Sequence, residues 1–216
     1  MCSSRRSIVN DFLSWRATSD RRGAERFQVR IKPVTYYGAR EIANSFRTVR
    51  KNTIAIAEDI PEDQYGFQCT PETRTVAQTL VHIAVITSLA EKIHFTDRLK
   101  TLEGFDFFGF MGKIIAEEQV KRSKAEILKM LQENGEKFAR LLENASEEFL
   151  AESVIYPAGM QPPMKSRLEM LISAKEHEMH HRGQLMVMER MLGMVPPLTR
   201  QMHAFIAQMQ AAKANR

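Results

Sequence analysis

The sequence predicts an all-α fold, a four-helix bundle with an extra C-terminal helix. Apolar residues recur at alternating steps of three and four over four long stretches, which is the period of an amphipathic α-helix. Two of these stretches open with a Ser-x-x-Glu capping box, and glycines and prolines cluster between them. A chain of 216 residues that is 44% hydrophobic can bury one sizeable core.

The first two long helices are predicted from their periodicity and from the residues that interrupt it. The apolar pattern extends over residues 36–60, and Pro61 ends it. After a turn-rich passage, a second helical stretch extends from about residue 73 to residue 102, and Gly104 ends it.

The third and fourth long helices are predicted from their caps. Ser123 with Glu126, and Ser166 with Glu169, have the spacing of a capping box, in which each side chain satisfies a backbone N–H group of the first helical turn. The fourth helix ends at Gly193, which is followed closely by two prolines.

Three further segments complete the fold prediction. Residues 104–120 contain four phenylalanines and form either a short helix that roofs the bundle or a loop. Those rings line an apolar substrate pocket or simply pack in the core. Residues 153–164 are predicted to form a small hairpin or irregular loop before the fourth long helix. The last helix, 199–212, packs at one end of the bundle or against a partner subunit, with these residues buried: Met202, Phe205, Ile206 and Met209.

The charge distribution separates the chain into two parts. Residues 1–33 contain eight Arg or Lys against three acids, so they carry the whole net charge of +5. We predict that they form a disordered basic extension and that residues 34–216 form the helical domain. A nucleic-acid-binding arm is the alternative, but it is disfavoured because the neutral remainder offers no basic surface to cooperate with it.

Membrane and secretory functions are disfavoured by composition. No apolar stretch approaches the ~18 to 20 uncharged residues of a spanning helix, and the N-terminal segment lacks the apolar region of a signal peptide. Cys2 and Cys69 are too few and too oddly placed for a disulfide framework. A reducing, cytoplasmic location is expected.

Three histidines are the candidate metal ligands. His177 and His181 are four residues apart on the apolar seam of the fourth helix, so both imidazoles lie on one helix face. His82 shares helix rows with apolar residues of the second helix and is therefore predicted to face inward as well. A buried imidazole without a partner costs about 1–3 kcal/mol, so these side chains need hydrogen bonds or a metal.

Three neutral imidazoles without a fourth protein ligand describe an open, catalytic type of site for zinc or a neighbouring transition metal. The alternative interpretation is that His82 and Gln184 are hydrogen-bonded core residues and that His177 and His181 lie at a wet end of the bundle.

The segment His177-Glu-Met-His-His-Arg-Gly-Gln184, together with His82, resembles the signature of the DinB/YfiT-like superfamily. The resemblance covers most of residues 36–195. It implies a four-helix bundle in which His82, His177 and His181 hold a divalent ion, most commonly zinc or nickel, often in a homodimer. It also implies a transferase that uses a low-molecular-weight thiol of the bacillithiol, mycothiol or glutathione type.

Several neighbours of the triad are candidates for supporting roles. Gln184 and His180 lie one turn from the ligands and are expected to orient them, or else to be ordinary polar residues at a bundle end. Glu178 or Glu176 is a candidate base, or else a solvated or paired side chain, and Arg182 either binds an anionic cofactor or is an exposed helix arginine.

We therefore expect a metal-dependent transferase acting on a small electrophile, with hydrolysis as a possible variant of the chemistry. The first alternative is a non-catalytic metal- or ligand-binding stress protein. The second is a nucleic-acid-associated factor that uses the basic arm.

Overall fold

The computed structural model describes residues 37–214, which form an almost entirely helical domain. Residues 1–33 lie outside this range, so the disordered basic extension stays a prediction. The four helices of the bundle are α1 (Ala39–Asp59), α2 (Val76–Ala90), α4 (Lys124–Glu143) and α6 (Arg167–Met191). The remaining helices are α3 (Phe107–Gln119), α5 (Glu147–Ala151) and α7 (Pro197–Ala214).

The predicted caps of α4 and α6 are confirmed. The Ser123 hydroxyl accepts from the backbone N–H of Glu126, and Ser166 does the same for Glu169. The second long helix differs from its prediction because it passes at Ala90 into a π-helical segment, Glu91–Thr96, and stops there.

Each of the two long connections adopts the more regular of its two predicted alternatives. The phenylalanine-rich segment forms α3, which packs on α2. The hairpin before α6 is confirmed as two antiparallel strands, β1 (Ser153–Ile155) and β2 (Met164–Ser166), paired with Val154 opposite Lys165.

The hydrophobic core has two halves with a polar layer between them. One half packs the end of α1 and the start of α4 around Ile56 and Ile127, and the other packs the start of α1 against the end of α4 around Phe46 and Phe138. Between them lies a buried cluster of polar side chains centred on Arg50. Glu178 is the residue of α6 that belongs to this layer, where it accepts from Arg50. Because Glu178 follows His177 directly in the chain, this contact fixes the rotation of α6 about its axis at His177.

Helix α7 lies on the outside of the domain, and its predicted burial is wrong within a single chain. Its apolar side chains are 45–58% exposed, namely Met202, Phe205, Ile206 and Met209. The helix leaves the bundle after Pro196 and is held near its start by Arg200, whose guanidinium pairs with Asp59 of α1 at 2.6 Å. Neither of the two core clusters contains a residue of α7, and the homodimer stays a prediction.

One described segment, Val76–Thr96, is long and apolar enough to cross a membrane by length and composition, with a mean hydropathy of 1.3. It comprises α2 and the π-helical segment, and half of its most apolar part is buried in the bundle. A core helix of a helical bundle has the same properties, so this segment is weak evidence for a membrane span. The cytoplasmic location stays a prediction.

Candidate metal centre

Three imidazoles converge between α2 and α6. The Nε2 atom of His177 lies 2.8 Å from Nε2 of His82 and 3.1 Å from Nε2 of His181. His82 and His181 are buried and His177 is half-buried. The spacing of four residues on α6 and the inward position on α2 therefore bring together the three side chains predicted from the sequence.

The hydrogen bonds behind the rings determine which nitrogens carry protons. Nδ1 of His82 lies 2.7 Å from a carboxylate oxygen of Glu118, which can only accept, so Nδ1 donates and Nε2 keeps a lone pair. Nδ1 of His181 likewise faces Oε1 of Gln184 at 2.8 Å. At least two of the three converging Nε2 atoms thus present lone pairs to the same point, an arrangement that a cation would stabilise.

Burial keeps these imidazoles neutral. Desolvation, together with smaller effects of the neighbouring histidines, lowers the pKa of His177 and that of His181 to about 4, although the hydrogen bond to Gln184 opposes the shift at His181. Desolvation also lowers the pKa of His82, although its hydrogen bond to Glu118 opposes this effect. Neutral imidazole is the form that binds metal, so the site is competent for binding at neutral pH.

The donor set fits a divalent transition metal. Each ring offers one nitrogen, and these ligand atoms lie within 4.8 Å of one another. A tetrahedral ion with metal–nitrogen bonds of about 2.0–2.1 Å holds its ligands roughly 3.3 Å apart. The observed separations of 2.8 and 3.1 Å therefore need to open by only a few tenths of an ångström.

Glu118 of α3 is a site residue that sequence reasoning missed. It is buried, it accepts from His82, and it also accepts from Arg74 through Nε at 2.6 Å and Nη2 at 3.2 Å. A carboxylate behind a ligating histidine fixes the ring orientation and raises its basicity. In the sequence, Glu118 is one of two adjacent glutamates near a helix end, and nothing distinguishes it from an exposed residue.

Two of the predicted supporting residues lie beside the cluster. Gln184 contacts Nδ1 of His181 through its oxygen and lies 3.2 Å from Nε2 of His180 through its nitrogen. Gln184 is exposed, although the alternative interpretation of the sequence made it a core residue.

The other two predicted residues lie elsewhere. Glu178 is buried in the polar layer, where it accepts from Arg50 and Thr53, so its oxygens are already used and a role as base finds no support. Arg182 is half-buried and makes no hydrogen bond or ion pair with any residue between 37 and 214.

A mostly apolar cavity of about 330 Å³ opens onto His82 and His177. Its walls come from α2, the π-helical segment, α3, the hairpin and α6, and they include Ile86, Phe107 and Met170. One of the four phenylalanines of segment 104–120 therefore lines this cavity, as one of the two expectations for that segment proposed. The cavity can hold a small, largely apolar molecule in contact with the ligand imidazoles.

Two solved structures from Bacillus subtilis resemble this fold. A DinB-like protein, YjoA, is 21% identical, with a TM-score of 0.52 over 71% of this chain and 92% of its own. YfiT, described as a probable metal-dependent hydrolase with an unusual four-helix bundle topology, is 15% identical, with a TM-score of 0.56 over 76% of this chain and 94% of its own. At these identities the likeness establishes the fold alone.

A search of curated protein sequences finds no significant match. The family model of the DinB family, in contrast, matches residues 33–210, which is most of the chain and includes all three histidines. With the bundle, the cap positions and the hairpin in place, the chain belongs to the DinB family.

Proposed function

We propose that this protein is a metal-dependent enzyme that activates a thiol or a water molecule for attack on a small electrophile. The observation that carries the proposal is the convergence of the Nε2 atoms of His82, His177 and His181, at least two of which present lone pairs. The three residues would hold zinc or nickel and leave one coordination position for the nucleophile.

A divalent ion held by three neutral imidazoles would supply the positive charge that lowers the pKa of a thiol or of water towards neutrality. The chain's own residues prepare that position. Glu118 and Gln184 hold the rings of His82 and His181 by accepting from their Nδ1 atoms. The cavity beside His82 and His177 would exclude water from the electrophile and orient it.

The favoured reaction is transfer to a low-molecular-weight thiol of the bacillithiol, mycothiol or glutathione type. With 1-chloro-2,4-dinitrobenzene as the test electrophile, the thiolate sulfur would form a bond to the ring carbon that carries chlorine. The carbon–chlorine bond would break with its electron pair leaving as chloride, and the thiol proton would pass to solvent.

Hydrolysis is the second candidate, and the likeness to YfiT, a probable metal-dependent hydrolase, favours it. In this case water would take the place of the thiol, and an ester such as p-nitrophenyl acetate would be cleaved to acetate and p-nitrophenol. The same three histidines and the same cavity would be used.

Metal analysis of the untagged protein tests the site itself. We expect about one equivalent of divalent metal in the native protein and a large loss in His181→Ala, while His203→Ala, which removes an exposed histidine of α7, keeps the metal. Unfolding temperatures of all three proteins show whether a loss of metal reflects a loss of fold. Native protein without metal, which also fails to bind added zinc or nickel, would refute the proposal.

Activity assays then separate the two reactions. Each thiol is tested with 1-chloro-2,4-dinitrobenzene, and p-nitrophenyl acetate is tested without thiol, before and after metal removal and replacement. Metal-dependent turnover with one thiol supports the transferase, and metal-dependent turnover without thiol supports the hydrolase. Bound metal without turnover of any electrophile in a broad panel would leave a non-catalytic metal-binding protein.

A further inference from the structure

The cavity beside the three histidines contains a fourth imidazole, that of His94. This residue belongs to the π-helical segment Glu91–Thr96 and is only 1% exposed. Local π-helical geometry is rare and occurs often at functional sites. His94 lines the same cavity as His82 and His177, although it is twelve residues from the nearest of them in the chain.

The hydrogen bond to Arg167 determines the tautomer of His94. The Arg167 guanidinium is permanently charged and has only donors, and its Nη1 lies 3.1 Å from Nδ1 of His94. Nδ1 must therefore accept, and in the neutral ring the proton is on Nε2. Burial, and then the charge of Arg167, lower the pKa of His94 to about 4, so the ring is neutral at physiological pH.

Arg167 is itself held in place by several partners. It is fully buried, its Nε donates to Glu152 at 2.8 Å, and its Nη2 donates to the backbone oxygen of Leu99 at 2.9 Å. Because these contacts leave the guanidinium little freedom, His94 cannot turn its ring over without losing the bond from Arg167.

No residue between 37 and 214 accepts a hydrogen bond from Nε2 of His94, and this atom is not completely enclosed by protein, so it borders open space. The ring borders two cavities. Arg167 and the Nδ1 edge are on the side of Phe149, because the guanidinium packs 5.0 Å from the centroid of that ring, which lines the other cavity. Because the Nδ1 and Nε2 directions of an imidazole diverge widely, the Nε2–H bond points away from Arg167, and we assign it to the cavity that His82 and His177 line.

We propose that His94 is a substrate-binding residue whose Nε2–H donates a hydrogen bond to an acceptor oxygen of a small, otherwise apolar ligand in this cavity. The ligand class is an aryl or alkyl carbonyl compound, or a molecule with an equivalent single acceptor group. The inference deepens the proposed function, because such a ligand would be the electrophile held next to the metal position. A donor that borders a mostly apolar cavity discriminates against ligands that cannot accept its hydrogen bond once they displace water from it.

The test compares two probes of the same shape, acetophenone and isopropenylbenzene, which differ by a carbonyl oxygen in place of a methylene group. Binding to the full chain is followed through the ¹³C-labelled methyl groups of Met111 and Met170, which line the cavity. We expect the native protein to bind acetophenone about three- to tenfold more tightly than the hydrocarbon. His94→Phe should reduce this ratio to about one, and His94→Gln, which keeps both an acceptor and a donor, should retain most of it.

His203→Phe is the matched control, because it changes an exposed histidine of α7 and should leave the ratio unchanged. Should His94→Phe fail to fold, a measurement on the native protein decides the matter, since the ¹⁵N shifts of the imidazole report its tautomer. Equal affinity for the two probes, no methyl shift with either probe, or a proton on Nδ1 of His94 overturns the inference.

Metal analysis of the same samples separates this inference from the proposed function. A carbonyl preference in protein that binds no metal would leave the role of His94 standing and remove the enzyme proposal. Bound metal together with equal affinity for the two probes would support the metal site of the proposed function and overturn the role of His94.

Discussion

Arg50 of α1 donates through Nε to both carboxylate oxygens of Glu178, at 2.9 and 3.1 Å, in the centre of the bundle. Both side chains are buried. Nη1 of Arg50 donates to the backbone oxygen of Leu131 and Nη2 to that of Ile83, and Thr53 donates to Glu178 at 2.8 Å. This pair therefore connects α1, α2, α4 and α6 at the residue adjacent to His177.

Removal of one charge from this pair is expected to destabilise the domain strongly. Glu178→Gln leaves the Arg50 charge buried without its counter-ion, which costs about 3–5 kcal/mol in the free energy of unfolding. Urea denaturation at pH 7 measures the change. Glu176→Gln, at an exposed position of the same helix, should stay within about 0.5 kcal/mol of the native protein.

Replacement of both partners by methionine should cost less than either single replacement, because neither charge is then left unpaired. A Glu178→Gln variant as stable as the Glu176→Gln control would contradict the interpretation of the pair as a structural element.

Gly135 of α4 lacks a side chain where Arg50 packs against it. We therefore expect alanine at position 135 to destabilise the domain. A Cβ atom at position 135 would lie 2.8 Å from Cγ and 2.8 Å from Nη1 of Arg50, too close for either atom to stay in place. We expect Gly135→Ala to lose about 1–3 kcal/mol of stability although alanine favours a helix. Gly183→Ala, where a Cβ meets nothing within 4 Å, should instead gain about 0.5–1 kcal/mol in the same denaturation assay.

Glu118 is expected to control metal affinity without binding the metal. Glu118→Gln removes the charge that orients the His82 ring, and loss of such a partner typically weakens metal binding about 10–100-fold. Competition with a chelator measures the affinity for zinc. Glu117→Gln is the control, because Glu117 pairs with Arg122 at the surface, and an equal effect of the two substitutions would argue against the proposed role.

The histidine cluster and its neighbour Gln184 on the same helix could be predicted from the sequence, whereas the supports from other helices could not. A spacing of four residues on an apolar seam places His177 and His181 on one face whatever else the chain does. Glu118 reaches His82 across 36 residues of chain, and Arg50 reaches Glu178 across 128. Pairs between helices leave no periodic signal in a sequence, because each partner alone resembles a solvated charge.

The helix starts and the exposed face of α7 also show that the sequence predicts local features better than contacts between elements. Capping boxes predicted the starts of α4 and α6, since these signals are local. The apolar face of α7 was visible as a pattern, but a pattern indicates only that a face is apolar. It does not indicate whether the chain itself covers that face, and residues such as Phe205, at 58% exposure, lie uncovered in the single chain.

Glu189 of α6 is expected to contribute less to the stability of the domain as pH rises. The side chain is fully buried, and as a carboxylate it accepts no hydrogen bond in the described part of the chain, whereas its protonated form can donate to the carboxylate of Asp59. Burial, and then the nearby charge of Asp59, raise the pKa of Glu189 to about 7 from its ordinary value of 4.5, against a smaller opposing effect of Arg200. The folded protein therefore keeps a proton at pH values where the unfolded chain has already released it.

The direction of the pH effect follows from that difference. Below about pH 4.5 the carboxyl group is protonated in both states, and its full contribution to stability is present; between about 4.5 and 7 the contribution is progressively lost as pH rises. Glu189→Gln keeps the shape and removes the titration. We expect the free energy of unfolding of the native protein, measured relative to this variant, to fall by about 2 kcal/mol between pH 5 and pH 8. A constant difference between the two proteins over this range would show that Glu189 is ionised, or exposed, in the folded state.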